Sequence, residues 1–133
     1  MKAIMLKDTL RSLFENVYQP QVDPEKYIQK FVSTDYIQIV DGHHINYSDF
    51  VAHIIKQRQV IKDVFFNFIC LIEENGCVAS LHRVHATKIE DNKRTIAEVH
   101  AFFQFKEGML MSCNERTKTI QGSPEDEDLG RRK

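Results

Sequence analysis

The segment from residue 64 to residue 120 holds nearly all of the chain's β-forming residues, and it limits the fold more than any other feature. Its first run, Val64-Phe65-Phe66-Asn67-Phe68-Ile69-Cys70-Leu71-Ile72, is β-branched and aromatic, and the Asn75-Gly76 pair behind it can take the positive φ angles of a tight hairpin. A return run over 77–88, a polar loop at 90–94, a third run over 95–105, the turn Lys106-Glu107-Gly108 and a last run over 109–120 complete a four-strand antiparallel meander. Runs of about ten residues exceed the usual five or six. Strands this long twist and curl, so one face becomes a concave trough that needs a cover.

The N-terminal half supplies the cover. Leu6, Leu10, Leu13, Phe14 and Val17 recur at three and four residues, an apolar stripe on a helix over about 3–18. Asp23-Pro24-Glu25 is a helix start, with the aspartate as cap and the proline where its missing N–H is harmless. Tyr27, Ile28, Phe31 and Val32 form the buried face of that second helix. A short strand over 35–40 follows, Asp41-Gly42 turns the chain, and a third helix begins near Ser48 as cap, with Phe50, Val51, Ile54 and Ile55 facing inward. Helices segregated to one face of a curled sheet define an α+β fold, a curved antiparallel sheet with N-terminal helices packed on its concave face.

At 133 residues and 42% hydrophobic content the chain makes one domain, residues 1–122, followed by a charged tail, residues 123–133. A net charge of −1 with interspersed signs offers no basic face for nucleic acid. No apolar run approaches the roughly twenty residues of a membrane span, and charge interrupts residues 1–8 too early for a signal peptide. Cys70, Cys77 and Cys113 cannot all pair and lack zinc spacing, so reduced thiols in the cytoplasm are expected.

Several motifs, taken in order, resemble a known superfamily. Phe31-Val32-Ser33-Thr34-Asp35-Tyr36, Asp41-Gly42 ahead of Phe50-Val51-Ala52-His53, and Phe105-Lys106-Glu107-Gly108-Met109-Leu110 are similar to the nuclear transport factor 2-like proteins, which include SnoaL-like polyketide cyclases and ketosteroid isomerases. Asn114-Glu115-Arg116-Thr117, with Asp128-Leu129-Gly130-Arg131 in the tail, resembles a subgroup of small bacterial members. The resemblance implies a cone-shaped, cystatin-like α+β barrel with a pocket at its open end and a dimer through the outer face of the sheet.

Ketosteroid isomerases use a carboxylate base, plus a tyrosine and a protonated aspartic acid that hold the enolate oxygen. By resemblance the aspartic acid position falls on Ala101, the tyrosine near Leu13 or Phe14 with Tyr18 a turn later, and the base on Val40 or Asp41. An alanine donates no hydrogen bond, so steroid isomerisation is disfavoured. Alternation sends Val99, Ala101 and Phe103 to one face of their strand, and the resemblance makes that face the pocket, with Phe14 from the first helix and Cys113, Glu115 and Thr117 from the last strand. Arg83 and His85 share a face opposite Ser80, His82 and Val84, and a slip of one residue exchanges the two sets. Glu115, His85 and Arg83 are expected to converge as a candidate acid–base group, or as a structural ion pair.

His82 and His85 point to opposite faces of a strand, and no histidine pair has helical four-residue spacing, so neither metal nor cofactor is expected. His53 lies off the expected stripe of its helix and reads as solvated or at the pocket rim. Phe66 and Phe68 on one face of their strand and Phe65 and Ile69 on the other suggest cover on both sides, hence a homodimer. The function expected is binding of a hydrophobic small molecule, with acid–base isomerisation, cyclisation or dehydration as one alternative and a non-catalytic dimeric adaptor as another.

Overall fold

The computed structural model describes residues 5–122; the charged tail over 123–133 lies outside the described residues. The elements run α1 (Leu6–Val17), α2 (Pro24–Phe31), β1 (Val32–Val40), β2 (His43–Asn46), α3 (Tyr47–Val60), β3 (Ile61–Glu74), β4 (Cys77–Lys88), β5 (Arg94–Lys106) and β6 (Met109–Gln121). The meander is present as β3 to β6, and β2 is an additional strand between the Asp41-Gly42 turn and α3.

Local chemistry sets the boundaries. Asp23 accepts from the Lys26 amide at 3.3 Å and caps α2 ahead of Pro24. The cap of α3 is Asn46 rather than Ser48. Its carboxamide oxygen accepts from the Asp49 amide at 2.9 Å, while the Asp49 carboxylate accepts from the Asn46 amide at 3.4 Å, so two orphan donors are satisfied reciprocally. Three turns carry positive φ at both central residues: Asp41 and Gly42 at 49° and 85°, Asn75 and Gly76 at 52° and 78°, Glu107 and Gly108 at 54° and 78°. This backbone matches the right-handed twist of the strands it joins. Gly76 has a second reason to lack a side chain, since a Cβ there would stand 3.2 Å from the Phe105 carbonyl oxygen.

One six-stranded sheet forms, in the order β2-β1-β6-β5-β4-β3. It departs from the expected sheet in two ways. The β1–β6 pair is parallel, so the sheet is mixed, and the strand order ends at β2 and β3 instead of closing into a barrel. The parallel pair follows from connectivity, because β1 reaches the sheet after two helices and not through a hairpin from β6. Leu10, Leu13 and Val17 of α1, Ile28 of α2, and Phe50 and Ile54 of α3 are buried against Val78, Phe103 and Leu110 of the sheet. Ile55, expected inside, is 39% exposed, and His53 takes the inward place with 4% exposure. Among the described residues no helix is long and apolar enough to cross a membrane.

Candidate functional site

The ladders of β4, β5 and β6 stack the inward side chains in rows. Cys113 pairs with Phe103 and Phe103 with Val78; Glu115 with Ala101 and Ala101 with Ser80; Thr117 with Val99 and Val99 with His82; Thr119 with Ala97 and Ala97 with Val84. Between these rows and helices α1 and α3 lies a cavity of about 100 Å³. Phe14, Phe50, Phe66 and Phe103 make much of its apolar wall, and Thr95, Thr117 and Thr119 contribute hydroxyls from the sheet.

Glu115 is the ionisable group on which this wall converges. Its Oε1 accepts from Gln38 Nε2 at 2.6 Å, and Gln38 Oε1 accepts from the Tyr36 hydroxyl at 2.7 Å. The β1–β2 turn folds over the same strand: the Asp41 amide donates to the Glu115 carbonyl at 3.0 Å, and Asp41 Oδ1 accepts from the Thr117 amide at 2.9 Å. Burial pushes the Glu115 carboxyl up to about 7, and the nearby Asp41 charge adds to the rise against hydrogen bonds from Gln38 and Thr117. A carboxyl in that range loads and releases a proton near neutrality.

The structure separates the three residues expected to converge. Glu115 lines the cavity, whereas Arg83 and His85 stand on the outer face of the sheet. Arg83 Nε donates to Glu98 Oε1 at 3.2 Å, and the His85 ring packs on Phe65 at 5.7 Å between centroids. The reason is register: Arg83 pairs with Glu98 and His82 with Val99, so the face of β4 that continues the apolar face of β5 carries Ser80, His82 and Val84. Phe14, Val99, Phe103, Cys113 and Thr117 line the cavity, while Ala101 is buried in the core behind it.

Histidines reach the cavity from other positions. His82 is on the wall, with Nδ1 2.6 Å from Ser80 Oγ, and burial followed by the His100 charge lowers its pKa to about 4. His53 and Gln57 also line the cavity from α3, and the Tyr18 hydroxyl donates to Gln57 Oε1 while its ring stacks on Phe66. A signal for them was present. Phe50, His53, Ile54 and Gln57 follow the i, i+3, i+4, i+7 spacing of one helical face. Among the described residues no group of three or more histidine, cysteine, aspartate or glutamate side chains could hold a metal ion.

A mixed, curved sheet covered on its concave face by three helices, with a cavity between the layers, is the nuclear transport factor 2-like α+β fold. The structure is similar to that of IdmH, a candidate polyketide cyclase from Streptomyces antibioticus, with a TM-score of 0.74 over 86% of this chain and 93% of that one at 10% identity. A SnoaL-like polyketide cyclase from Agrobacterium tumefaciens superposes with a TM-score of 0.68 over 87% of this chain and 93% of its own, at 13% identity. In sequence, the chain is 28% identical over 121 residues to an uncharacterised protein of Schizosaccharomyces pombe, covering 91% of this chain and 92% of that protein. No protein-family model matches the sequence.

Proposed function

We propose that the chain binds a small hydrophobic molecule in the cavity between its helices and sheet. The observation that carries this reading is the combination of four phenylalanine walls with one buried carboxyl, the composition of a site that excludes water and orients a single polar group. A filled cone would have favoured an adaptor without a ligand; the cavity of about 100 Å³ favours a ligand. Native mass spectrometry of gently purified protein tests it. A retained small molecule is expected in the wild type and not in Ala97→Phe, whose ring would occupy the cavity. Retention in the filled variant would place the ligand elsewhere and overturn the reading.

Acid–base catalysis is the second reading, and its support is specific. Glu115 titrates near neutrality, and His53 and His82 line the same cavity. With ordinary Asp or Glu values near 4, such a carboxyl would be a weaker base and a negligible acid at neutral pH.

The convex face supports a second copy of the chain as partner. Ile72, Ala79 and Phe102 form one cross-strand row, with Ile72 and Phe102 each 60% exposed, and Cys70 and Leu81 continue the patch in the next row. Beside it, Arg83, Glu98 and Lys118 provide a row of both signs that a two-fold axis can pair with itself. Phe102→Glu should convert a dimer to a monomer in sedimentation velocity without changing the circular dichroism of the subunit. A wild type that sediments as a monomer at tens of micromolar would remove the partner. The three free cysteines, Cys70 being exposed, favour a reducing compartment, and we place the protein in the cytoplasm on that ground.

A further inference from the structure

His82 is held on β4 by three neighbours. Its ring lies 5.2 Å from that of Phe68 and 5.9 Å from that of Phe66, and Nδ1 is 2.6 Å from the Ser80 hydroxyl oxygen. Burial, followed by the His100 charge, lowers its pKa to about 4, so at neutral pH the imidazole is uncharged and carries one hydrogen, on either Nδ1 or Nε2.

Ser80 decides between the two tautomers. It is 6% exposed, and the described residues offer its hydroxyl one partner, Nδ1 of His82. With the hydrogen on Nδ1, that nitrogen would donate to Oγ, and the serine O–H would be buried without an acceptor. With the hydrogen on Nε2, the serine O–H donates to the Nδ1 lone pair and both are satisfied. The first arrangement leaves two polar groups unmet, the serine hydrogen and the Nε2 lone pair. The second leaves one, the Nε2 hydrogen.

That hydrogen faces the cavity. Nε2 has no hydrogen-bond partner among the described residues. Among those residues only the Tyr47 hydroxyl is both unpartnered and sealed from any solvent-sized space, so Nε2 borders such a space, and the space that His82 lines is the cavity. Other donors there are committed: the Tyr18 hydroxyl to Gln57 and the Thr95 hydroxyl to the Gln121 carbonyl. An apolar cavity of roughly 150 Å³ takes up benzene, so one of about 100 Å³ admits a molecule of about four heavy atoms. No lysine or arginine is among its lining residues, and an anion would be buried there without a counter-charge.

Resting on the reading of this cavity as a ligand site, we infer that His82 is its specificity-determining residue: Ser80 holds the imidazole as the Nε2–H tautomer, and that N–H selects small neutral molecules bearing an acceptor oxygen. Ser80 is a positioning residue, acting only through His82.

Proton–nitrogen correlation spectra of the full chain at about pH 7, well above the His82 midpoint, read the tautomer directly and should place the hydrogen on Nε2. Acetone should then move the Nε2–H proton resonance downfield, and isobutene, of the same shape with a methylene group in place of the oxygen, should not. Ser80→Ala should admit the Nδ1–H tautomer, seen as averaging of the two ring-nitrogen shifts, a change that loss of packing alone would not produce. In His82→Phe the Kd of acetone relative to that of isobutene should rise by about fivefold or more. Thermal unfolding verifies that both variants fold, and the wild-type spectra decide the matter if His82→Phe does not. A hydrogen on Nδ1 in the wild type, unchanged tautomers in Ser80→Ala, or the same response to acetone as to isobutene would overturn the inference. The ligand reading itself is decided separately, by the retained mass in the wild type and in Ala97→Phe.

Discussion

Replacing Phe50 by alanine should lower the unfolding free energy by about 3–5 kcal/mol, the range for deletion of a buried aromatic ring. Phe50 is 2% exposed, its ring lies 5.0 Å from that of Tyr36, and it lines the cavity. The new void therefore joins a space that already exists, and the surrounding α3 and β1 backbones, fixed by the Asn46 cap and the sheet, cannot collapse to fill it. For a domain of this size the melting temperature should fall by on the order of 10–20 °C. Benzene added to the variant should recover part of that loss and should raise the wild-type melting temperature less. A fall of under about 1 kcal/mol would mean that Phe50 is not packed as described.

The second large effect is in the dependence of stability on pH. Folded Glu115 keeps its proton up to about pH 7, whereas in the unfolded chain it is lost near 4.5. Between those values the native state holds the extra proton, so stability declines as pH rises, and the full loss is present above pH 7. His82 acts with the opposite slope. Its folded pKa of about 4 lies below its ordinary 6.5, so the unfolded state takes up a proton first and stability declines as pH falls from 6.5 to 4. In the wild type the two slopes oppose one another between 4.5 and 6.5. Glu115→Gln should leave the His82 slope alone, with stability rising up to about pH 6.5 and then level, and should exceed the wild type by about 1–3 kcal/mol at alkaline pH after allowance for the incomplete burial of the residue as a whole. Chemical denaturation of both proteins from pH 4 to 9 measures this, and parallel profiles would show that Glu115 titrates at an ordinary value.

Fold and site differed in how openly the residues declared them. Asp41-Gly42, Asn75-Gly76 and Glu107-Gly108 are short-range signals, and the aspartate, the asparagine and the three glycines have the left-handed backbone that their residue types favour, with Glu107 carried into it by the turn. The stripe of α1 is equally plain, since Leu10, Leu13 and Val17 all point to one core. The orientation of β4 was not legible, because Ser80 and His82 on one face and Arg83 and His85 on the other are both polar; only pairing with the strongly alternating β5 decides between them. Asn46 and Asp49 act as a reciprocal pair, which a search for a single hydroxyl cap at Ser48 passes over. The parallel β1–β6 pair depends on contacts remote in sequence, and no local pattern announces it. Glu115 could be picked out as a candidate from one strand, but its partners Gln38 and Asp41 come from another part of the chain.

That remoteness governs how the molecule assembles. The hairpins of β3 to β6 join neighbours in sequence and close small loops, whereas Gln38 and Glu115 are 77 positions apart. The entropy of closing so long a loop delays the β1–β6 pairing until the meander exists to receive it. Glu115 loses its hydration only once β1, the Asp41 turn and the covering helices α1 and α3 are in place. The β1–β6 pairing is thus the contact that completes the perturbed carboxyl, and a local opening at the β1–β2 side of the sheet would return that acid to solvent while leaving the meander hairpins paired.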